Sequence, residues 1–400
     1  MEKLQPKLRF PEFNGNWERK KLREVSDVYD GTHQTPKYVS EGVKFVSVEN
    51  INDLINTDKF ISKKAFEKDF KVKPKKGDIL MTRITAGVIG ATAVVDNDED
   101  LAYYVSLGLI RLKNNGNPFF YSQNIQSFSF RNELHRRIIH VAFPKKINLG
   151  DLQDCNIYNC SFEEQTRIAN FLSSVDEKIN LLKEKKSLLE EYKKGIMQKI
   201  FNQEIRFKDD NGNDFEDWDE RTLGELLSIP EKLKPENINT DKLLTVKLHL
   251  KGVQKNTNTE SLSIGSTNYI IRKKGQFIYG KQNLFNGAFG IIPDEFDGFL
   301  SSGDVPALDV NQNKVNSTFL LSYFSRKEFY NNLENIATGS GSKRIHEKIL
   351  LSLDISLPCL QEQTKIANFL SAIDEKIVLV SNQIQDTQEY KKGLLQQMFV

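Results

Sequence analysis

The sequence predicts an α+β chain: two tandem mixed α/β domains separated by two long helices packed as an antiparallel coiled coil, the whole forming a pseudo-two-fold internal repeat. Three observations predict it. The stretch Glu164 to Phe201 returns as Glu362 to Phe399, displaced by 198 positions, so that EQTRIANFLSSVDEKI and EYKKGIMQKIF are answered by EQTKIANFLSAIDEKI and EYKKGLLQQMF. Self-similarity at about half the chain length means duplication. Apolar residues inside each copy recur in steps of three and four, and short β-branched runs bounded by Gly, Asn and Asp fill the segment before each copy.

The repeat reaches beyond the helices. Leu8-Arg9-Phe10 with Trp17 and Leu22 recurs as Ile205-Arg206-Phe207 with Trp218 and Leu223, and Gly77-Asp78-Ile79-Leu80 is answered by Gly275-Gln276-Phe277-Ile278. Gly87-Val88-Ile89-Gly90 matches Gly287-Ala288-Phe289-Gly290, and Lys145-Lys146-Ile147 matches Lys343-Arg344-Ile345. Each half is therefore a whole domain copied, with a shared frame and divergent filling. The expected layout is a first domain over 1–150, its helix and lead-in over 151–202, a second domain over 203–350 and its helix and lead-in over 351–400, the halves meeting near Asn202 and the polar turn at Asn211-Gly212.

In the first domain, strands are expected at Val43 to Val48, Asp78 to Ile84, Ala91 to Val95 and Leu107 to Leu112. Phe119 to Phe128 reads as a helix begun by Asn117-Pro118, proline being favoured at the first helical position. In the second domain the corresponding strands are Leu243 to Leu248, Gly275 to Tyr279, Phe289 to Ile292 and Ala307 to Val310, with a helix at Thr318 to Lys327.

The first long helix carries a seam of Ile168, Leu172, Val175, Ile179 and Leu182, continued by Leu189, Ile196 and Ile200, with Lys186 and Lys193 interrupting. Ile366, Leu370, Ile373, Ile377 and Val380 hold the same register in the second. Such a/d spacing is a coiled-coil seam, although long core helices share it. Ser161, three residues before Glu164, forms a capping box that starts the first helix. Gly195 and Gly393 sit at equivalent points near the ends, where glycine costs a helix about 1 kcal/mol relative to alanine; a kink or a close partner contact would explain both.

Hydrophobic content of 38% and aromatic content of 10% over 400 residues fit globular domains rather than disorder. No apolar run is long enough to span a membrane, the N-terminus is no signal peptide, and a soluble intracellular protein is expected. Cys155, Cys160 and Cys359 include no C-x-x-C pair, which suits a reducing compartment and gives no metal site. The net charge of +2 hides a segregation: residues 20–150 hold 21 Lys and Arg against 15 Asp and Glu, residues 220–345 hold 16 against 13, and the junction 202–219 is acidic. Placement of cations in the two domains favours a polyanionic ligand.

No catalytic constellation stands out. Asn117-Pro118-Phe119-Phe120 lacks the second proline of the loop with which amino-methyltransferases hold a target base, and Gly339-Ser340-Gly341-Ser342-Lys343-Arg344 is not a P-loop, though it could donate to a DNA backbone. The paired G-x-x-G turns could clamp a nucleic-acid backbone or simply join strands. Candidate phosphate-neutralising cations are Lys63, Lys64, Lys73, Lys75, Lys76, Arg83, Arg131, Arg136 and Arg137 in the first domain, and Arg272, Lys273, Lys274, Lys281, Lys343 and Arg344 in the second. Candidate base readers are His33, Gln34, Thr85, Gln282 and Asn283, residue types that reach base edges from loops.

Glu164-Gln165 with Ile168-Ala169 and Phe171-Leu172, Glu362-Gln363 with Ile366-Ala367 and Phe369-Leu370, the two Tyr-Lys-Lys-Gly segments and Gly77-Asp78-Ile79-Leu80 together resemble the specificity subunit of type I restriction-modification enzymes. The family's proline-rich approach to E-Q survives only as Ser356-Leu357-Pro358 in the second copy. The resemblance implies two target recognition domains, each reading one half of a bipartite asymmetric site in double-stranded DNA, with the helices setting the spacer. It implies as partners two modification subunits, which use S-adenosylmethionine to methylate adenine, and two restriction subunits, which use ATP and Mg. It implies no catalysis and no cofactor in this chain itself, a helical pair that docks the modification subunits, and a bacterial or archaeal cytoplasm. A DNA-free coiled-coil scaffold and a diverged freestanding DNA methyltransferase are the alternatives; the first predicts no salt-sensitive DNA binding, the second a cofactor loop.

Overall fold

In the computed structural model, which describes residues 4–113, 115–258, 267–339 and 341–400, the chain divides into two compact units: Met1–Glu184 with Ser381–Val400, and Lys185–Val380. Each unit thus owns one α/β domain, the start of the long helix that follows it and the end of the other long helix.

The first unit is built on a four-stranded antiparallel sheet in the order Ser26–Asp30, Leu107–Leu112, Ile79–Thr82, Thr92–Val94. Its strand Ile79–Thr82 is buried on both faces, and the alternation of side chains across a strand shows how. Ile79 and Met81 join a core with Trp17, Phe120, Phe130 and Leu134, whereas Leu80 turns to a second core with Phe45, Phe66 and Tyr103. That second core lies under another four-stranded sheet, Tyr38–Val39, Phe60–Ile61, Val43–Val46, Leu101–Tyr103, whose last pair is parallel. The helix Pro118–Gln126 begins where proline predicts it, with the Asn117 side chain accepting the Phe119 and Phe120 N–H groups.

The second unit repeats the frame. Leu227–Ser228, Ala307–Val310, Phe277–Tyr279 and Phe289–Ile291 form the matching sheet, and Phe277 and Tyr279 face one core while Ile278 faces another. The filling differs among the described residues: Leu244–Val246 pairs with Val253–Lys255 and Tyr269–Ile271 with Leu300–Ser302, two ribbons joined by a parallel bridge of Leu243 to Leu300. In both units a short ladder ties the strand that enters the domain to the strand that leaves it, Glu18–Lys21 with Asn156–Asn159 and Asp219–Thr222 with Asp354–Leu357.

The long helices run Phe162–Phe201 and Leu360–Gln397, the first capped by Ser161, whose hydroxyl accepts the Glu164 N–H. In the first unit Ile168, Leu172, Val175 and Ile179 are buried with Leu394, Met398 and Phe399, and Leu182 is half-buried. In the second, Ile366, Leu370 and Ile373 are buried with Met197, Ile200 and Phe201; Ile377 packs against them and Val380 is 2% exposed. Within each unit the two helical segments run antiparallel. Lys391 Nζ lies 2.6 Å from Asp176 while Phe399, eight residues on, meets Trp17, whose indole N–H donates to Glu164 at the first helix's start. In the second unit Lys193 lies 2.6 Å from Asp374 while Phe201 packs on Phe319, beside the Asn316 N–H that donates to Gln363. Among the described residues no helix is long and apolar enough to cross a membrane.

Candidate nucleic-acid interface

The repeated E-Q pair fixes each domain to its helix. Glu164, 2% exposed, accepts two hydrogen bonds of 2.7 Å from the Arg9 guanidinium and a third from Trp17, and Gln165 accepts the Asn117 N–H while donating to Asn159 and the Cys160 carbonyl. Glu362 and Gln363 repeat this with Arg206, the Asn316 N–H and the Pro358 carbonyl. The repeated arginine of the L/I-R-F cluster is thus half of a lock whose other half lies about 155 residues later; Trp17 joins it in the first unit, whereas the buried Trp218 indole N–H finds no hydrogen-bond partner among the described residues of the second. Sequence reasoning missed the pairing, although both halves recur at nearly the same offset.

Above that frame, the loops of the first unit converge on Arg83. This side chain is 6% exposed, bonded to Asp30 at 2.8 Å and to the Ile147 carbonyl at 3.1 Å, and Asp30's other oxygen receives the His33 imidazole at 2.8 Å. Lys145 and Lys146 pair with Thr85 and Ile84 in a two-strand ladder. The loops carrying His33, Gln34, Thr85 and Lys145-Lys146 are therefore tied together, with Gln34, Lys145 and Lys146 exposed. In the second unit Lys281 takes the place of Arg83: its carbonyl accepts the Ile345 N–H as Arg83's accepts that of Ile147, and its ammonium lies 3.1 Å from Glu347. Arg344 faces Asp304 at 3.4 Å and Lys343 faces Glu334 at 2.7 Å, so Lys281, half-buried Gln282 and Asn283, and Lys343-Arg344 form the matching cluster.

The predicted cations do not all face water. Arg83 is committed inward, and so is Arg272, 3% exposed, which donates to Ser301 and the Val305 carbonyl and is pushed down to about 10 by burial. Neither guanidinium is presented to a phosphate, because each sits beside buried strand residues whose backbone and side chains it satisfies. Arg137 is half-buried against Glu133 at 2.8 Å. Lys63, near Asp100, and Lys73, paired with Glu67, lie with exposed Lys64, Lys75 and Lys76 along the helix Lys63–Asp69 and the turn that follows it. Arg131, Arg136 and Lys273 are exposed, and Lys274 is 3.4 Å from Asp294. A strand register of buried neighbours, as in Ile79 to Ile84, is the signal that marks such an arginine as internal.

Among the described residues no group of three or more His, Cys, Asp or Glu converges as a metal would need, and the Cys155 thiol, pushed up to about 12 by burial, donates toward the Asp151 carbonyl. What the geometry offers is two constant frames, each holding a set of polar and cationic loops of different composition.

Comparison with known proteins follows the same division. A family model described as "Type I restriction modification DNA specificity domain" matches twice, over residues 14–191 and 215–388. A relative from Methanocaldococcus jannaschii named "Putative type I restriction enzyme MjaX specificity subunit" is 25% identical, over 97% of this chain and 94% of that protein. Among solved structures, the S subunit of a type I restriction-modification system from M. genitalium superposes with a TM-score of 0.59 at 16% identity, covering 99% of both chains. A chain from a study of complex assembly and conformational transition of the type I R-M system gives 0.54 at 15% identity, covering 95% of this chain and 96% of that one.

Proposed function

The chain belongs to the type I restriction-modification DNA specificity family, with two copies of its domain, and from that premise we propose that each copy reads one half of a bipartite, asymmetric site in duplex DNA while the long helices set the unspecified spacer. The observation that carries this is the constant frame with exchanged loops: the Arg83–Asp30–His33 cluster of one unit stands where Lys281–Glu347 and Arg344–Asp304 stand in the other. A frame kept and a surface changed is what two readers of different half-sites require. Recognition would combine phosphate neutralisation by exposed lysines and arginines with base-edge contacts from loop side chains.

Two modification subunits, using S-adenosylmethionine, would methylate an adenine flipped into their own pocket, and two restriction subunits would use ATP and Mg. For docking the modification subunits, the helices offer exposed apolar side chains that recur in part. Leu181 (57% exposed) and Tyr192 (53%) are answered 198 residues on by Leu379 (57%) and Tyr390 (55%), as Gly195 is by Gly393, whereas the place of Leu188 (58%) is taken by Asp386. A duplicated face suits two copies of one partner. The place of action would be the cytoplasm of a bacterium or archaeon, where such DNA lies.

The test is co-expression of this chain with a type I modification subunit in a methylation-free host, with adenine methylation mapped by single-molecule sequencing. A two-part motif that vanishes when this chain is omitted is the expected result. Methylation at a short continuous site, or none although the complex forms, would overturn the two-reader account.

A further inference from the structure

Val141 and Phe143 are 97% and 92% exposed, and the next most exposed large apolar side chain among the described residues, Phe128, is at 62%. They occupy the tip of the loop between the helix Phe128–Arg137 and the strand Lys145–Lys146, and its base is firmly built. Ile138 donates to the Leu134 carbonyl, Ile139 to that of Lys146, Ile147 to that of Arg83, and Lys145 and Lys146 pair with the strand Ile84–Thr85. Exposed Lys145 and Lys146 form one side of the base, and exposed Arg136, 3.9 Å from Glu133, ends the helix on the other; Glu133 itself is turned inward onto Arg137 and Asn156. A bare apolar tip on a rigid base, flanked by cations, matches one ligand in particular. Protein interfaces deplete lysine, whereas duplex DNA offers phosphates to the rim and a stacked apolar step to the tip.

Resting on the reading of the first unit as a DNA reader, we infer that the tip Val141-Ala142-Phe143-Pro144 is a wedge that enters the base stack within the half-site read by that unit. The cations at its base hold the flanking phosphates while the Phe143 ring, with Val141 beside it, partly unstacks one step, a known use of apolar side chains on deformed DNA. At the corresponding place in the second unit no large apolar side chain stands among the described residues. The corresponding segment, anchored by a bridge of Thr338 to Arg344 as Ile139 is to Lys146, holds Ala337, Thr338, Gly339, Gly341 and Ser342 before Lys343-Arg344. Ser340 lies outside the described residues. Gly339, at φ +123, has the Ser342 carbonyl 2.5 Å from where a Cβ would stand, so that turn is closed to larger side chains. The wedge is therefore assigned to this loop of the first unit, its counterpart in the second holding no large apolar side chain among the described residues.

The experiment uses the full chain and a pool of 40-base-pair duplexes with a randomised centre, selected for binding. On the enriched duplex, 2-aminopurine is placed at each position in turn, and wild type, Phe143→Ala, Phe143→Leu and Lys145→Ala are compared for affinity, salt dependence and fluorescence. Wild type should brighten the probe at one step, in one half-site. F143A should bind at least ten-fold more weakly with an unchanged salt slope and no brightening, and F143L should retain both. K145A should instead flatten the slope by about one phosphate's worth. If F143A binds and brightens as wild type does, the wedge is overturned; it is equally overturned if F143A keeps its DNA affinity but no longer co-purifies with a modification subunit. If wild type enriches no duplex at all, the reading of the first unit as a DNA reader fails, and the wedge with it.

Discussion

Glu164 is a carboxylate that water barely reaches, and its charge is tolerable only because Arg9 meets it with both forks and Trp17 adds a third donor. Removing one partner of such a pair leaves the other desolvated, at about 3 kcal/mol or more; with Arg9 still 12% exposed, Glu164→Ala should cost roughly 2–3 kcal/mol in urea unfolding. A change under about 0.5 kcal/mol would show that the lock is dispensable. Glu133 gives a pH-dependent counterpart. Burial alone would raise its pKa, but the Asn156 N–H and Arg137 overcome this and hold it below the ordinary carboxylate value. Its contribution is therefore complete above the unfolded value, about 4.3, and is lost as pH falls through the lower folded value. In acid titrations of stability, Glu133→Gln should flatten the fall below about pH 4; an unchanged curve would assign that fall elsewhere. Neither role was legible in sequence. The repeat advertised Glu164 and Gln165, but their partners lie far back along the chain, and composition does not say which way Arg83 points.

The long helices were the most legible elements, because a three-four apolar spacing repeated in two copies leaves few other folds. The interruptions were not. Lys193 breaks the seam in sequence, and the structure gives the reason: it meets Asp374, as Lys391 meets Asp176, both pairs being copies of one another at the repeat's offset. Polar residues at seam positions fix register and orientation at some cost in stability. Lys193→Glu with Asp374→Lys should recover stability lost in either single variant, with a coupling of about 0.5–1 kcal/mol, since Asp374 is half in solvent. Additive single effects would remove the pair from the account of register. Gly195 and Gly393 present the opposite case: a Cβ on either would meet nothing within 4 Å in this chain. Gly195→Ala should therefore stabilise the isolated chain by up to about 1 kcal/mol. If this helical face docks a modification subunit, the same change should weaken that association, measured by titration calorimetry; unchanged binding would free the glycine from that role.

On the scale of the whole chain, the duplication predicted the frame and could not predict the filling. The main sheet of each unit follows from β-branched runs at matching positions, and so do Val43–Val46 and Leu244–Val246, each beside a parallel step to Leu101–Tyr103 or Leu300; the strands that pair with these differ between the units. That division has a functional consequence if the filling reads DNA. Exchanging residues 20–150 for the equivalent segment of another family member leaves Arg9, Trp17, Glu164 and Gln165 in place. The insert must itself supply the contacts that residues 20–150 make to the frame: the Asn117 N–H to Gln165, the ladder of Lys20 and Lys21 with Ile157 and Asn156, Gln123 to Asp176, Asn124 to the Tyr158 carbonyl, and the Phe120 ring against Trp17 and Phe399. With a donor segment that carries these contacts, the hybrid should fold, keep its helices, and in methylome mapping change one half-site while the other half-site and the spacer stay as they were. A hybrid that folds yet alters both halves would mean that recognition is shared between the domains, and the frame would then be a scaffold for one composite reader rather than for two.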